Sequence, residues 1–320
     1  MDNPIKSPVA LFVFNRPDVT RRVFEQVRMA KPENLFVVVD GPRNEADKQK
    51  TDQVKKIVEN VDWKCQVFKN YSDTNMGCDV RIATGINWVF QNVDRAIFLE
   101  DDCLPHPSFF RFCDELLEKY KNDPKIMHIS GDNFQHENKK FICNESYYFS
   151  RISQSWGWAT WKRAWLLQDK DMKRWPETKS SNLLGKIFHD KAIVAYWEDL
   201  LQKFYDKKRI NWDGQWTFAC FVNNGLCIMP KVNLISNIGF GDGATHTRQH
   251  NHKFSNLPVS AIKFPLTHPD KKMVNHQAED YTMKWFFGVN ESWKQRVKWY
   301  IKSLFPVPYN FLKRIYHKNQ

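Results

Sequence analysis

The feature of the sequence that most constrains its fold is a regular alternation of short apolar runs and longer amphipathic stretches over residues 9–130. The apolar runs have the length of strands and lie at 9–14, 35–39, 65–70, 96–99 and 126–130. The stretches between them predict helices at 19–30, 45–60, 78–91 and 107–121. Strands that alternate with helices pair in parallel and are covered on both faces. The predicted fold class is therefore α/β, with a mostly parallel sheet flanked by helices.

Polar residues follow each of the first four predicted strands. They are Arg16 after the first strand, Asp40 after the second, Asn75 and Gly77 after the third, and Glu100, Asp101 and Asp102 after the fourth. In a parallel α/β sheet, ligands bind in the crevice outside the carboxyl ends of the strands. We therefore expect these side chains to share one edge of the sheet and to form a binding site there.

The three consecutive carboxylates in IFLEDDCLPHPSFF are the strongest chemical signal in the chain. Neighbouring carboxylates raise each other's pKa unless a positive charge lies among them. Mg²⁺ and Mn²⁺ favour carboxylate oxygens, and Mg²⁺ takes one or two of them together with substrate phosphates. Stabilisation by the dipole of the helix that begins near Pro107 is the alternative, and it accounts for one or two of the acids. The run therefore predicts a site for a metal or a polar ligand.

Net charge and cysteine usage narrow the class of protein. The formal net charge of +12 favours anionic partners such as nucleotides, nucleic acid or an anionic membrane surface. No signature of a nucleic-acid-binding module is present, so we expect no nucleic-acid partner. The 7 cysteines are odd in number and form no C-x-x-C pair, which argues against a disulfide framework and a structural zinc site. We expect a cytoplasmic protein, and no apolar window reaches the length of a membrane span.

The second half of the chain is rich in aromatic residues and less regular. The segments SQSWGWATW, NWDGQW and SNIGFGDGATHT flank a predicted helix at 190–207. Clustered tryptophans are typical of sugar-binding surfaces, although ordinary core packing explains any single one equally well. The final segment, 293–315, combines apolar and basic residues and is interrupted by two prolines. Such a stretch is typical of peripheral contact with a membrane, with packing on the body of the domain as the alternative.

At the acidic run the sequence resembles a known family. FLEDDCLPHPSFF resembles the Glu-Asp-Asp motif of GT-A glycosyltransferases, especially the N-acetylglucosaminyltransferase I type. The opening stretch ALFVFNRPDVTRRVFEQV is similar to the first strand, Arg-bearing loop and helix of that type. The resemblance implies a GT-A type, Rossmann-like catalytic domain over 1–260, with a nucleotide-binding half (1–140), an aromatic-rich acceptor half (141–260) and a C-terminal extension with basic amphipathic helices (261–320).

The resemblance also implies roles for individual residues. Asp102 matches the metal-binding acid, Asp101 the residue near the ribose, and Glu100 one that faces the donor sugar. Arg16 and Asp40 match the nucleotide-holding loops, and TNMGCDVRIATGI, with Asn75, Gly77 and Arg81, is similar to the Asn-x-Gly element of many GT-A enzymes. Trp156, Gly157 and Trp158 are assigned to the wall around the donor sugar and acceptor, with Gly157 allowing close approach. His246 matches a position near the metal, and Asn75, Gly77 and His246 have purely structural readings as alternatives.

A catalytic base is required because the acceptor hydroxyl must lose a proton as it attacks. Asp213, in NWDGQW, is the predicted base, since Trp212 and Trp216 would exclude water and raise its basicity. An ordinary surface turn built on Asp213-Gly214 is the alternative.

The predicted activity is metal-dependent transfer of a hexosyl or N-acetylhexosaminyl group from a nucleotide sugar to a hydroxyl, with inversion. The resemblance favours a UDP-sugar donor and a Mn²⁺ or Mg²⁺ cofactor. We expect a glycan or lipid-linked acceptor, in surface-polysaccharide or glycolipid synthesis at the inner face of the membrane. The alternatives are a sugar-phosphate nucleotidyltransferase and a non-catalytic carbohydrate-binding protein. A nucleotidyltransferase usually carries a Gly-rich basic loop after its first strand, where this chain has NRPDVTRR.

Overall fold

The computed structural model describes residues 4–209, 211–240 and 253–289. The strands are β1 (Val9–Val13), β2 (Asn34–Val39), β3 (Gln66–Tyr71), β4 (Arg95–Glu100), β5 (Cys103–Pro105), β6 (Ile126–Ser130), β7 (Tyr147–Ser150), β8 (Trp158–Trp161), β9 (Leu226–Pro230) and β10 (Ile235–Asn237). The helices are α1 (Pro17–Ala30), α2 (Glu45–Glu59), α3 (Cys78–Asn92), α4 (Ser108–Lys119), α5 (Lys162–Trp165), α6 (Trp175–Ser180), α7 (Leu183–Ile187), α8 (Lys191–Tyr205), α9 (Trp212–Val222) and α10 (His276–Trp285).

The predicted strands and helices of residues 9–130 are all present, as is the helix expected at 190–207. Local chemistry sets several of their boundaries. Pro17 occupies the first turn of α1, where its missing N–H costs no hydrogen bond. Asn44 caps α2, because its side chain accepts a hydrogen bond of 2.9 Å from the backbone N–H of Asp47.

The main sheet has eight strands in the order β3-β2-β1-β4-β8-β6-β9-β7. The pairs β2–β3, β1–β2, β1–β4 and β6–β9 are parallel. The fold is therefore the expected mixed α/β, Rossmann-like architecture. The strand order reverses between β1 and β4, and a crevice at the carboxyl ends of these two strands is where such sheets bind ligands.

Strand β8 was not expected from the sequence, in which WGWATW was assigned to an irregular wall. Trp158–Trp161 instead pairs antiparallel with both β4 and β6 in the middle of the sheet. Because successive side chains of a strand point to opposite faces, the tryptophans of this motif separate. Trp158 and Trp161 are both buried.

Both faces of the sheet are buried, as a parallel α/β arrangement requires. Val9, Leu11 and Val13 of β1 pack in one hydrophobic cluster with residues of α1, α2 and α4. Ala10 and Phe12 pack in a second cluster with residues of α3 and α9. A third cluster joins α6, α7, α8 and α9 to residues of α10. These layers hold the loops at the carboxyl ends of the strands in fixed positions.

The segment after residue 260, predicted to be a C-terminal extension, packs on the body of the molecule where it is described. Ile262 and Leu266 join the first hydrophobic cluster, and Met283 and Val289 join the third. The backbone N–H of Ile262 donates to Ser108 Oγ at the start of α4. Residues 290–320, which include the predicted basic amphipathic stretch, lie outside the described residues. None of the helices in the described ranges combines the length and apolar character needed to cross a bilayer.

Helix α10 is attached to the sheet by a buried carboxyl group. Glu279 is 2% exposed and accepts hydrogen bonds from Ser150 Oγ at 3.0 Å and from the backbone N–H of Arg151. His276, one turn earlier, lies 3.5 Å from the same carboxyl. Burial raises the pKa of Glu279 to about 7, although the hydrogen bonds from Arg151 and Ser150 oppose this. The folded chain therefore holds a proton at a pH where the unfolded chain has lost it.

We expect Glu279→Gln to reduce the pH dependence of stability. A carboxyl whose pKa is raised on folding destabilises the native state as pH rises from its unfolded pKa of 4.5 to about 7. The substitution should remove up to about 3 kcal/mol of the difference in unfolding free energy between pH 4 and pH 8. Urea unfolding at both pH values measures it, with Glu33→Gln, at an exposed position, as the control. An unchanged difference in the Glu279 variant would contradict this account of the helix attachment.

Candidate functional site

A cleft of about 430 Å³ opens at the carboxyl ends of the central strands. Its lining comes from the loops after β1, β2, β3 and β4, the start of α9, and the segment after β10. Its volume lies within the range typical of sites for small molecules and cofactors. The candidate residues that line it are Arg16, Asp40, Asn75, Gly77, Arg81, Glu100, Asp101, Asp102, Trp156 and Asp213.

The guanidinium of Arg16 provides a positive charge among the three carboxylates. Its Nε donates to Asp101 Oδ2 at 3.2 Å, and its Nη2 donates to Asp101 Oδ1 and, at 3.0 Å, to Asp102 Oδ2. Although burial opposes this, Asp101 and Asp102 raise the pKa of Arg16 above its ordinary value. Both oxygens of Asp101 are engaged in this forked ion pair. Asp101 therefore positions Arg16, whereas its predicted contact with a ribose remains a prediction.

Glu100 lines the same cleft without an ion-pair partner among the described residues. Burial raises the pKa of Glu100 well above its usual range, and Asp102, Asp101 and Asp213 raise it further. The effect of Arg16 is in the opposite direction and does not compensate for them. The chain turns directly after β4, so all three acids face the cleft and do not alternate between faces.

Asp213 lies in the first turn of α9 and lines the same cleft as the acidic run. Asn211 caps the helix by accepting from the backbone N–H of Asp213 at 3.0 Å, and Asp79 accepts from the backbone N–H of Trp212. The alternative of a surface Asp-Gly turn is wrong, because Gly214 is a buried helical residue packed against Phe204. Trp212 lines the cleft beside Asp213, as predicted. Trp216 is fully buried behind it and does not line the cleft.

Asp40 holds the wall of the cleft in place. Its carboxylate accepts hydrogen bonds from the backbone N–H groups of Gly41, Met76 and Gly77 and from Asn75 Nδ2, at 2.9–3.1 Å. Gly77 has φ +77°, which favours glycine at this turn. The structural alternative for Asn75 and Gly77 therefore accounts for these hydrogen bonds. Contact of the three residues with a nucleotide remains a prediction.

Arg81 is a nearly buried cation at the edge of the cleft. Its Nη2 donates to the backbone oxygens of Val39 and Asn70 and to Asn70 Oδ1. Its Nε is buried and has no hydrogen-bond partner. Burial lowers the pKa of Arg81, and nearby Asp40 partly offsets this. An unsatisfied buried guanidinium N–H costs free energy, and because protein atoms cover this Nε it is not exposed to the cleft.

Of the three residues predicted to form a wall around the donor sugar, Trp156, Gly157 and Trp158, only Trp156 lines the cleft. Trp156 is half-buried and lines the cleft, where its ring meets that of Phe240 at 6.0 Å. Trp158 does not line the cleft; it stacks in the core on Phe98, at 4.8 Å between ring centroids. Gly157 has φ +66°, and a Cβ there would lie 2.5 Å from Ile235. The close approach that Gly157 allows is therefore by the core and not by a ligand.

A buried hydrogen-bond network behind Trp156 was not found from the sequence. Ser130 Oγ lies 2.5 Å from Asp132 Oδ1 and 2.7 Å from the backbone oxygen of Gln154. Ser130 Oγ is the donor to Asp132 Oδ1. Burial raises the pKa of Asp132 to about 7, although the hydrogen bond from Ser130 opposes this. The network therefore links the end of β6 to the segment that precedes Trp156.

The same hydrogen-bond network extends to α9, the helix that carries Asp213. His128 Nε2 lies 2.8 Å from the backbone oxygen of Gln154, and Trp216 Nε1 donates to His128 Nδ1 at 3.1 Å. Burial lowers the pKa of His128 to about 4, so the ring is neutral with its proton on Nε2. Nothing local in the sequence pairs these residues, since the contacts join positions 26 and 88 residues apart.

A corner of the cleft beyond the predicted residues carries Phe14, Asn15 and Arg43. Arg43 lies over the ring of Phe14, at 5.2 Å from its centroid, and pairs with Asp47. Its hydrogen bond lowers the pKa of Asp47 to about 2, despite opposing burial. Asn15 Nδ2 donates to the same carboxylate at 2.5 Å. These residues directly follow β1 and β2, so the rule of strand ends that found Arg16 and Asp40 applies to them too.

The residues present can supply part of a divalent cation site. No group of three or more His, Cys, Asp or Glu side chains able to hold a metal occurs among the described residues. His246, the predicted second ligand, lies outside the described residues. Glu100 and Asp102 nevertheless line one cleft as oxygen donors, and burial, followed by the neighbouring carboxylates, raises the pKa of Glu100. A Mg²⁺-like ion with one or two carboxylates and substrate phosphates fits that donor set.

No protein-family model matches the chain, and no curated protein matches it. Solved structures that match include a UDP-glucose pyrophosphorylase complexed with UDP-glucose (13% identity, 47% of this chain and 63% of that one, TM-score 0.27). A 4-diphosphocytidyl-2C-methyl-D-erythritol synthase from Anaerococcus prevotii matches at 15% identity, over 51% and 72%, with a TM-score of 0.29. An inositol-1-phosphate CTP transferase from T. maritima matches at 10% identity, over 52% and 74%, with a TM-score of 0.31.

The chain thus spans less than two thirds of the pyrophosphorylase. All three of these proteins are nucleotidyltransferases by name, and none is a glycosyltransferase. Their TM-scores and identities are too low for these matches to carry an argument about this chain. The resemblance to the N-acetylglucosaminyltransferase I type accordingly remains a prediction from the sequence.

We expect Gly239→Ala to disturb the ion pair directly. A Cβ at this position would lie 2.1 Å from Asp102 Oδ2 and 2.7 Å from Arg16 Nη1, so both groups would have to move. The expected loss of stability is about 1–3 kcal/mol, the usual cost of overpacking. Urea unfolding measures it, with Ser236→Ala on the preceding strand as the control. Unchanged stability would show that the segment after β10 does not press on the acidic run.

Proposed function

We propose that this protein is a metal-dependent glycosyltransferase that uses a nucleotide sugar, a UDP-sugar by the sequence resemblance. The observation that carries the proposal is that Asp213 lines the same cleft as Glu100, Asp101 and Asp102. Asp213 raises the pKa of Glu100, as expected for two carboxyl groups that line the same cleft. Such a cleft offers one carboxylate to an acceptor hydroxyl and others to the cation and donor.

The donor diphosphate belongs near Arg16 and the acidic run in this proposal. A divalent cation held by Glu100 and Asp102 would stabilise the charge of the departing diphosphate. Arg16 presents a planar guanidinium, which suits phosphate oxygens. His246 remains a proposed cation ligand.

Asp213 is the proposed base toward the acceptor hydroxyl, and transfer with a single base of this kind inverts the sugar carbon. Its half-buried carboxyl lies beside Trp212, which excludes water from one side. Trp156 offers an aromatic face to a sugar ring, and ring contacts with Phe134 and Phe286 hold it in place. We further propose a glycan or lipid-linked acceptor at the cytoplasmic face of a membrane.

Sugar-phosphate nucleotidyl transfer is the second candidate function. It uses the same kind of sheet and acidic metal ligands. Against it, the loop after β1 is not rich in glycine, and its Arg16 is bound to Asp101 and Asp102. A non-catalytic carbohydrate-binding protein is the third candidate, and it has no need of Asp213.

Two assays with Mn²⁺ distinguish the three candidates, one with a nucleotide sugar as substrate and one with a nucleoside triphosphate and a sugar phosphate. A glycosyltransferase releases nucleoside diphosphate in the presence of an acceptor, and slowly with water as acceptor. A nucleotidyltransferase forms pyrophosphate from a nucleoside triphosphate and a sugar phosphate. A carbohydrate-binding protein releases neither. Formation of pyrophosphate without any release of nucleoside diphosphate would overturn the main proposal.

We expect Asp102→Ala to lose metal-dependent binding of the donor. In the wild-type chain, nucleotide sugar with Mn²⁺ should raise the melting temperature in proportion to occupancy. The variant should show no additional stabilisation by Mn²⁺. Asp18→Ala, at an aspartate that is 98% exposed on α1, is the matched control. Full metal-dependent stabilisation of the Asp102 variant would show that the cation binds elsewhere.

We expect Asp213→Asn to bind donor normally but to transfer the sugar at least about 10²-fold more slowly, because the amide cannot accept the proton. Donor affinity from thermal shift and transfer rate from nucleoside diphosphate release separate the two effects. Asp199→Asn, on the exposed face of α8, is the control. Wild-type transfer by the Asp213 variant would mean that another group is the base.

A further inference from the structure

The loop after β1 places Arg16 directly on an acid that the proposed cation needs. Asp102 Oδ2 accepts from Arg16 Nη2 at 3.0 Å, and Asp102 Oδ1 lies 3.5 Å from Cys103 Sγ. The side chains of Arg16 and Asp102 are only 20% and 16% exposed, so water screens their interaction weakly. Asp102 thus already has a positively charged partner within the chain, although it shares this partner with Asp101.

From this contact we infer that Arg16 is an internal counter-ion that competes with a divalent cation for Asp102. The inference rests on the proposed cation site and adds a second occupant to it. A cation bound at Asp102 would lie beside the guanidinium, and like charges at that distance repel. Cation binding therefore requires Arg16 to leave Asp102, or to share it at reduced affinity.

The geometry shows why Arg16 can release Asp102 without losing its position. Its Nε and Nη2 both bond to Asp101, which is only 6% exposed on its side chain, so the forked pair anchors the guanidinium independently of Asp102. Asp102 makes the single additional hydrogen bond. Arg16 Nη1 makes no hydrogen bond to the described residues, and it lies under Gly239 at the cleft. That N–H pair is available to an incoming anion.

A bound diphosphate would allow Arg16 and a divalent cation to occupy the cleft together. Its oxygens can take the freed donors of Arg16 and bridge to a cation on Asp102, since guanidinium groups bind phosphate oxygens in a forked geometry. Diphosphate and cation then assist each other's binding, and by linkage the assistance is equal in both directions. In the absence of diphosphate, Arg16 keeps the affinity of the site for free cation low.

Mn²⁺ binding to the nucleotide-free chain tests the inference without measuring activity. Arg16→Met should lower the dissociation constant for Mn²⁺ at least about tenfold relative to wild type, measured by titration calorimetry or by the Mn²⁺ resonance signal at fixed ionic strength. The substitution leaves Asp101 buried without a partner, so the double variant Arg16→Met with Asp101→Asn serves if the single variant does not fold. The double variant retains Asp102 and should show the same gain.

Arg43→Met is the matched control. It removes one positive charge from the same cleft but breaks an ion pair with Asp47, not with Asp102. Its dissociation constant for Mn²⁺ should stay within about threefold of wild type. An equal gain in Mn²⁺ affinity in the Arg43 variant would show that the loss of any positive charge from the cleft has this effect. That result would overturn the inference. Unchanged or weaker Mn²⁺ binding in the Arg16 variants, or no Mn²⁺ binding by any chain, would overturn it as well.

The inference and the proposed function fail separately. A tighter Mn²⁺ site in the Arg16 variants, with no release of nucleoside diphosphate by the wild-type chain, would retain the competition and remove the transferase. Release of nucleoside diphosphate with unaltered Mn²⁺ binding would retain the transferase and remove the competition.

Discussion

The forked ion pair from Arg16 to Asp101, with its extra hydrogen bond to Asp102, is the interaction on which the cleft depends. It joins the loop after β1 to the loop after β4, where the order of the strands reverses. Without the guanidinium, three adjacent carboxyl groups would share a half-buried space with no ion-pair partner from the residues that the structure describes. The pair therefore allows the acidic run to exist in the folded protein, and it leaves Glu100 uncompensated and facing the cleft.

The polar residues of the cleft fall into two groups. Some find all their hydrogen-bond partners within the chain, and others lack a hydrogen-bond or ion-pair partner. Asp40 receives all its hydrogen bonds from the turn at 74–77 and from its own neighbour, so it shapes the wall. Arg81 retains a buried N–H without an acceptor, and Glu100 lacks a cation partner among the described residues. A ligand in the cleft can satisfy Glu100, which lines it, whereas protein atoms cover the Nε of Arg81. The division therefore points to Glu100 as the group that a bound cation would compensate.

The sequence predicted the strands and helices of the first 130 residues because each follows from local periodicity, as in the alternate burial of Val9, Leu11 and Val13 against Ala10 and Phe12. It predicted the edge on which the site lies for the same reason. It did not predict β8, whose four residues WATW enter the sheet antiparallel between β4 and β6. That placement depends on partners distant in sequence. The assignment of Trp158 to the cleft failed with it, since the strand directs this ring into the core.

The pairing of Arg16 with the acidic run also lay beyond sequence reasoning, because the residues are 85 and 86 positions apart. The sequence showed that the carboxylates needed a positive charge but not that the chain supplies one. The hydrogen bonds of Ser130 to Asp132 and to the backbone oxygen of Gln154 are a further case, since Gln154 is 24 positions away in the sequence. In both places tertiary contacts determine which charged or polar groups pair with each other. Composition and spacing in the sequence only indicate which groups are available.

The most direct test of the central claim is the anomalous diffraction of Mn²⁺ in crystals of the protein grown with Mn²⁺ and a nucleoside diphosphate. The account predicts a single strong peak in the cleft, at about 2.2 Å from a carboxylate oxygen of Asp102 or Glu100, in contact with the diphosphate. A diphosphate bound in the cleft with no peak near either residue would contradict it. The acidic run would then be only the partner of Arg16 and not the seat of a catalytic cation.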